Sequence, residues 1–203
     1  MDGPDCLECR AWDPALSLAR YAFVLEPPAD DLVHALKYEG WPELADSMGS
    51  AMARLPLPAG DDRPGAGDAP SRTADVPRRV VVPVPTTAER LAVRGYNQAE
   101  LLARRLASGL GVPVCPALRR SGGRPSQTSL ASEARRENVR GVFTPAPGRA
   151  PVLEGKDVLL VDDVLTTGAT ASEAARTLAA SGARRVTLVA FARALPTRPG
   201  RSG

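Results

Sequence analysis

Residues Val158–Thr170, VLLVDDVLTTGAT, constrain this chain more than any other stretch. Val158 to Val161 is an apolar run with no polar alternation, the pattern of a strand buried on both faces. Asp162 and Asp163 follow where such a strand would leave the core. Thr166, Thr167, Gly168, Ala169 and Thr170 come next, and ASEAARTLAASG then reads as a helix ending at Gly182. The order is strand, acidic pair, Gly/Thr loop, helix. A loop that feeds a helix N-terminus offers unpaired N–H donors and a partial positive charge, a seat for a phosphate. In open α/β sheets ligands collect at the carboxyl ends of strands, where this loop lies.

The acidic pair asks for something else. Adjacent carboxylates at a strand end accept hydrogen bonds from a vicinal diol or hold a hydrated Mg²⁺. A ligand with a phosphate, a neighbouring diol and a metal-bound pyrophosphate satisfies every part, and phosphoribosyl pyrophosphate is such a ligand. A nucleotide hydrolase can also end a strand on aspartate, but it needs a G-x-x-x-x-G-K-[ST] loop, which this sequence lacks. Along its whole length the stretch resembles the signature of type I phosphoribosyltransferases. The resemblance implies that Asp162 and Asp163 contact the ribose hydroxyls and Mg²⁺, directly or through water or the ligand. It also implies that Thr166–Thr170 cradle the 5′-phosphate.

A second anion-binding stretch lies upstream. Val80–Pro85, VVVPVP, reads as another buried strand that breaks at its prolines into a turn carrying Thr86, Thr87, Arg90, Arg94 and Gly95. Hydroxyls, free N–H groups and guanidinium forks suit a pyrophosphate, because one arginine can pair two anionic oxygens. Leu91, Val93, Leu101, Leu102, Leu106 and Leu110 mark apolar positions, and Gly111 fits a helix C-cap. VPVP, Arg90 and RGYNQAELLA (Arg94–Ala103) resemble the ComF family of competence-associated, phosphoribosyltransferase-like proteins. ALKYEG (Ala35–Gly40) fits the same family's upstream helix.

Val112–Leu118, VPVCPAL, is expected to be a strand containing Cys115 as a core residue. Between Arg119 and Arg140 stand six arginines and two glutamates, a more basic balance than the +3 of the whole chain. A solvated basic loop explains that charge equally simply. The family resemblance, carried by Gln127, Leu130, Arg135 or Arg136, and Asn138, implies instead a catalytic lid that closes over the pyrophosphate and excludes water. VFTPAPGRAPVLEGK (Val142–Lys156) starts with a short strand, and RRVTLVAFAR (Arg184–Arg193) reads as the last buried one.

The N-terminal part is less decisive. Cys6-Leu-Glu-Cys9 has the spacing of half a zinc knuckle, but the remaining cysteine, Cys115, belongs to an apolar run. His34, the sole histidine, sits in a predicted helix as an ordinary surface or half-buried imidazole. Zinc held by this chain alone is therefore not expected. The ComF family usually carries two C-x-x-C pairs; this chain opens with what resembles the last of them. Tyr21–Leu25 reads as a strand. Asp30 or Asp31 is placed to cap the helix DDLVHALKY, which Gly40 ends. Pro42 opens a second helix with Leu44, Met48, Met52 and Leu55 at helical spacing, a packing stripe. Pro56 to about Pro77, rich in Pro, Gly, Ala and Asp, has almost nothing to bury and reads as a linker.

With 203 residues the chain can bury one good core. The expected organisation is an N-terminal segment over 1–55, an insertion over 56–79, a phosphoribosyltransferase core over 80–194 and a tail over 195–203. The expected fold class is α/β, a type I phosphoribosyltransferase-like fold with a parallel sheet flanked by helices and a small N-terminal appendage. No apolar run reaches the roughly 20 residues of a membrane span. Three cysteines make no disulfide framework, so a cytoplasmic location is the expectation. The resemblance implies phosphoribosyl transfer from Mg²⁺-bound phosphoribosyl pyrophosphate to an unidentified acceptor. Its alternative is a non-catalytic factor that binds the same ligand in DNA uptake, with a competence helicase or the uptake machinery as candidate partner. A homodimer is also among the expectations. Three Tyr, three Phe and two Trp are few for a nucleic-acid stacking platform, so direct nucleic-acid binding has weak support.

Overall fold

The structure is a computed structural model that describes residues 12–58, 78–121 and 141–195. Its centre is a four-stranded, all-parallel sheet. The strands are β1 (Leu16–Val24), β2 (Arg79–Pro83), β5 (Asp157–Leu165) and β6 (Arg185–Arg193), in the spatial order β1-β6-β5-β2. The central pair, β5 and β6, is buried along most of its length, as strands covered on both faces are. Alternation divides their side chains between two core layers. Val158 and Leu160 pack with α6 (Ala169–Ala180), Val142 and Phe143. Leu159 and Val161 pack with α1 (Ala29–His34), α2 (Leu44–Ala53) and α4 (Gln98–Leu110) on the opposite face.

The parallel α/β reading of the core holds. Met48 and Met52 are fully buried packing residues, as their spacing predicts, and Cys115 is buried in the core. Gly40 closes the first helical segment with φ 73°. His34 is exposed and pairs with Glu39 at 3.0 Å.

Several local expectations need correction. The helix after β1 starts at Ala29 with Pro28 at its cap position, so Asp30 and Asp31 lie inside the first turn and make no side-chain cap. There they complement the helix dipole instead. The helix also widens into a π-helical turn over Ala35–Glu39. The stretch expected as an irregular turn after β2 contains a two-turn helix, α3 (Ala88–Arg94), capped by the Thr87 hydroxyl and closed by Gly95 at φ 82°. Leu91 and Val93 face solvent on it, 44% and 91% exposed, rather than marking a buried face. Val112–Leu118 is not a regular strand. Only Val114 bridges to Val81, because Pro113 and Pro116 lack the N–H groups a ladder needs. Regular pairing resumes at β3 (Leu118–Arg120), antiparallel to β4 (Phe143–Pro145). A one-turn helix, α5 (Ala150–Leu153), then leads to β5.

The first residues of the stretch read as a linker are anchored to the fold. The Pro56 carbonyl accepts from Arg20 Nε at 3.3 Å, the Pro58 carbonyl accepts from the Arg79 guanidinium, and Leu57 packs on the second layer. Residues 59–77 lie outside the described residues.

Candidate functional site

The acidic pair sits on a strand that outruns one neighbour. β5 pairs with β2 only as far as Val161, but follows β6 to Leu165. Asp162 and Asp163 are therefore strand residues rather than the first residues beyond a strand, and their side chains diverge. Asp162 shares the face of Val158 and Leu160. It lines a recess with Thr166, Gly168, Thr170 and Leu188 at the start of α6. Asp163 shares the face of Leu159 and Val161, where its carboxylate is almost wholly buried.

Electrostatics separates the two carboxyls further. Burial, then the neighbouring Asp163 charge, pushes the half-buried Asp162 carboxyl up to about 8; the Asp163 N–H, at 2.9 Å from Asp162 Oδ1, and Lys37 oppose the shift. Asp163 has Lys37 beside it, with Nζ 2.9 Å from Oδ2, although that approach lies outside hydrogen-bond angles. Asp162, the carboxyl that faces the recess, offers a divalent cation one carboxylate ligand, and Mg²⁺ is commonly held by one or two carboxylates plus ligand phosphate and water.

The Gly/Thr loop forms the other wall. Gly168 takes φ 78° and starts α6 without a side-chain cap of its own, so of the first-turn N–H groups the Ala169 N–H turns to the Thr167 hydroxyl instead. A Cβ at Gly168 would lie 2.2 Å from Trp12 Nε1, so the position needs glycine for two independent reasons. Trp12 Nε1 donates to the Thr167 carbonyl at 3.0 Å, and the Ser172 hydroxyl accepts from the Asp13 N–H at 3.1 Å. The Thr167 hydroxyl turns back toward the Ala169 N–H at 3.4 Å, while Thr166 and Thr170 line the recess.

The residues read upstream as anion-binding follow β2, the strand that pairs with β5. The Thr87 hydroxyl is occupied as a helix cap, accepting the Arg90 N–H at 3.3 Å, and Thr86 is half-buried beside it. The Arg94 guanidinium lies 5.6 Å over the Tyr38 ring and donates to the Gln98 side chain. A residue that sequence reasoning placed in the basic stretch without a role, Arg120, links the two halves. Burial, then the Arg90 charge, pushes its guanidinium down while Asp162 pulls it back, so Arg120 stands within electrostatic reach of both. Its Nε is buried without a hydrogen-bond partner, and its Cζ lies 5.4 Å over the Phe143 ring.

Lys37, Trp12 and Arg120 are the site residues that the sequence did not assign. Only Lys37 carried a signal, being one of two lysines in a chain whose other basic residues are arginines. Arg135, Arg136, Cys6 and Cys9 lie outside the described residues. Among the described residues no group of three or more His, Cys, Asp or Glu is arranged to hold a metal.

Residues 78–200 match the family model described as the phosphoribosyl transferase domain. The chain is 30% identical over 187 residues to the DNA utilization protein YhgH of Escherichia coli (strain K12), covering 91% of this chain and 74% of that protein. It is 34% identical over 115 residues to Competence protein F of Haemophilus influenzae, covering 56% of this chain and 50% of that one. Among solved structures, the glutamine phosphoribosylpyrophosphate amidotransferase from B. subtilis, complexed with ADP and GMP, aligns at 20% identity with a TM-score of 0.40. The alignment covers 71% of this chain and 25% of that one. With a phosphoribosyl transferase domain around its central motif and competence and DNA-utilization proteins as its relatives, the chain belongs to the ComF family.

Proposed function

We propose that this protein binds Mg²⁺-bound phosphoribosyl pyrophosphate and transfers the phosphoribosyl group to an acceptor with release of pyrophosphate. One observation carries the reading: Asp162, Thr166, Gly168 and Thr170 converge on a single recess at the start of α6. The 5′-phosphate takes the loop Thr166–Thr170 and the first-turn N–H groups of α6. The ribose diol takes the Asp162 carboxylate, with Asp163 behind it. The pyrophosphate faces Thr86, Thr87, Arg90 and Arg94, with Arg120 between the two halves and Arg135 and Arg136 of the lid closing on it.

At C1 of the ribose the acceptor's lone pair forms a new bond as the bond to the pyrophosphate oxygen breaks, and the acceptor's proton passes to solvent. Positive charge gathers on the sugar and negative charge on the leaving pyrophosphate. The arginines stabilise the latter, and the acidic pair holds the sugar in place. Mg²⁺, when bound, would supply further charge neutralisation at the pyrophosphate, with Asp162 holding it from the recess and Asp163 supporting from the opposite face of β5. No protein nucleophile is needed.

The names of the relatives favour a second reading, in which the same pocket binds phosphoribosyl pyrophosphate without turnover in a DNA-uptake role, with the uptake machinery as partner. A cytoplasmic location suits both readings. Among the described residues no helix is long and apolar enough to cross a membrane.

Calorimetry with Mg²⁺ and phosphoribosyl pyrophosphate tests the site. The double variant Asp162→Asn, Asp163→Asn should lose binding, since each lost charge-assisted hydrogen bond costs about 1.5–3 kcal/mol. Unchanged affinity in that variant would remove the acidic pair from the site. A pyrophosphate-release assay with candidate amines and bases then separates transfer from binding alone.

A further inference from the structure

Lys37 stands where three distant parts of the chain meet. Its ammonium lies 2.9 Å from Asp163 Oδ2, with 20% of the lysine side chain and 5% of the aspartate side chain exposed. The π-helical turn Ala35–Glu39 carries it, and such turns often mark functional positions in helices. The pyrophosphate-side segment grips this turn on both sides of the lysine. The Tyr96 hydroxyl donates to the carbonyl of the fully buried Leu36 at 2.6 Å. On the other side the Arg94 guanidinium covers the Tyr38 ring.

The two ends of β5 differ in a way that sets this pair apart from a structural one. At its N-terminal end Asp157 receives both Arg184 and Arg185, with Arg184 Nε at 3.0 Å from Oδ1 and its terminal nitrogen at 2.7 Å from Oδ2. That carboxylate is saturated by planar forks. At the C-terminal end Asp163 Oδ2 is buried and lacks a partner in hydrogen-bond geometry, with the Lys37 ammonium close by. Residue type points the same way. Of 26 basic residues only Lys37 and Lys156 are lysine. A compact ammonium can reach a single oxygen behind a strand, where a guanidinium fork needs room for both arms.

We propose that Lys37 is a positioning residue of the sugar site, fixing the Asp163 carboxylate from a turn that the pyrophosphate-side segment holds through Tyr96. The inference rests on the proposed site for phosphoribosyl pyrophosphate and assigns it one further part. Pyrophosphate-side geometry is thereby transmitted to the sugar-binding end of β5 through Tyr96, Leu36, Lys37 and Asp163.

Calorimetric titration with ribose 5-phosphate and with Mg²⁺–phosphoribosyl pyrophosphate, below the melting transition, tests it. Lys37→Met should weaken both ligands by the same factor, roughly ten- to a hundredfold, as loss of a ligand's supporting partner does at metal sites. Tyr96→Phe should weaken ribose 5-phosphate in the same direction, although that ligand carries no pyrophosphate for the Tyr96 segment to meet. A merely structural lysine would lower the melting point and leave the folded protein's affinity for ribose 5-phosphate intact; that result overturns the inference. Weakening of phosphoribosyl pyrophosphate alone also overturns it, because Lys37 would then read the pyrophosphate directly. Should Lys37→Met fail to fold, Tyr96→Phe decides: unchanged ribose 5-phosphate binding sinks the proposed connection. If the unmodified protein binds neither ligand, the site reading itself fails, and this inference falls with it.

Discussion

At the residue scale the motif was legible, but its geometry was not. Two aspartates before a Gly/Thr loop announced a sugar-phosphate site, yet they read as neighbours aimed at one diol. The strand runs through both, so strand alternation sends Asp162 to the recess and Asp163 to Lys37. Trp12 could not be read at all, because its contact with Thr167 spans 155 residues of sequence and no local pattern encodes it. Crowding at Asp162 has a measurable consequence. Its carboxyl is raised in the folded chain toward about 8, mainly by burial and then by Asp163. Between the unfolded value near 4 and the folded one, the native state holds a proton that the unfolded state has released. The stability contributed by this group is therefore fully present below pH ~4 and is lost as pH rises through the folded value. Asp162→Asn removes that loss. Thermal melts should show it more stable than the parent at pH 8, with a smaller gain at pH 5; a gain independent of pH would mean that the carboxyl is not raised. Gly168→Ala should act oppositely, since its φ of 78° and the Trp12 ring both exclude a methyl group. It should lower the melting point and abolish ribose 5-phosphate binding in the same calorimetric titration.

At the element scale, buried strands and amphipathic helices were readable from periodicity, whereas elements made by capping and by small residues were not. Helix α3 buries none of its side chains and exists because Thr87 caps one end and Gly95 closes the other. Apolar Leu91 and Val93 suggested a buried face there, but the helix stands off the core. The contact between α2 and α4 is equally silent in the sequence. Gly49 lets α2 approach α4 so closely that an added Cβ would lie 2.7 Å from Arg105 Cβ and 3.2 Å from the Leu102 carbonyl oxygen. Alanine normally gains about 1 kcal/mol over glycine inside a helix. Here the opposing atoms are a Cβ and a backbone oxygen, which cannot rotate away, and overpacking of this kind costs about 1–3 kcal/mol. The clash should win. Gly49→Ala is expected to lower stability in urea titration, and a stabilised variant would show that the helices can separate at little cost.

At the scale of the whole molecule the parallel sheet was predictable, since apolar runs alternate with helical stretches along the sequence. The strand order was not. The first strand lies beside the last, β1 against β6, an arrangement fixed only when both layers are packed. Composition gave no sign that Pro56, Leu57 and Pro58, at the start of the stretch read as an insertion, are anchored through backbone carbonyls and one leucine. Excision of Gly60–Ala74 spares those anchors. It should shift the melting midpoint by less than about 2–4 °C, the change that 1 kcal/mol produces in a chain of this size. A larger drop would show that the excised residues pack against the core.

The β3–β4 pair has a consequence for what holds the sheet and the acidic pair in place. Leu118–Arg120 and Phe143–Pro145 form a closed ladder, extended by the Ser121 N–H to the Val142 carbonyl at 3.0 Å. The Gly141 N–H is then tied to Glu173 of α6 at 2.6 Å. Ser121 and Gly141 are thus two fixed posts, set by the ladder and by α6. The ladder works as a socket. The posts are held by β4, α6 and the core, so the sheet and the acidic pair take their positions from residues outside the stretch that joins them.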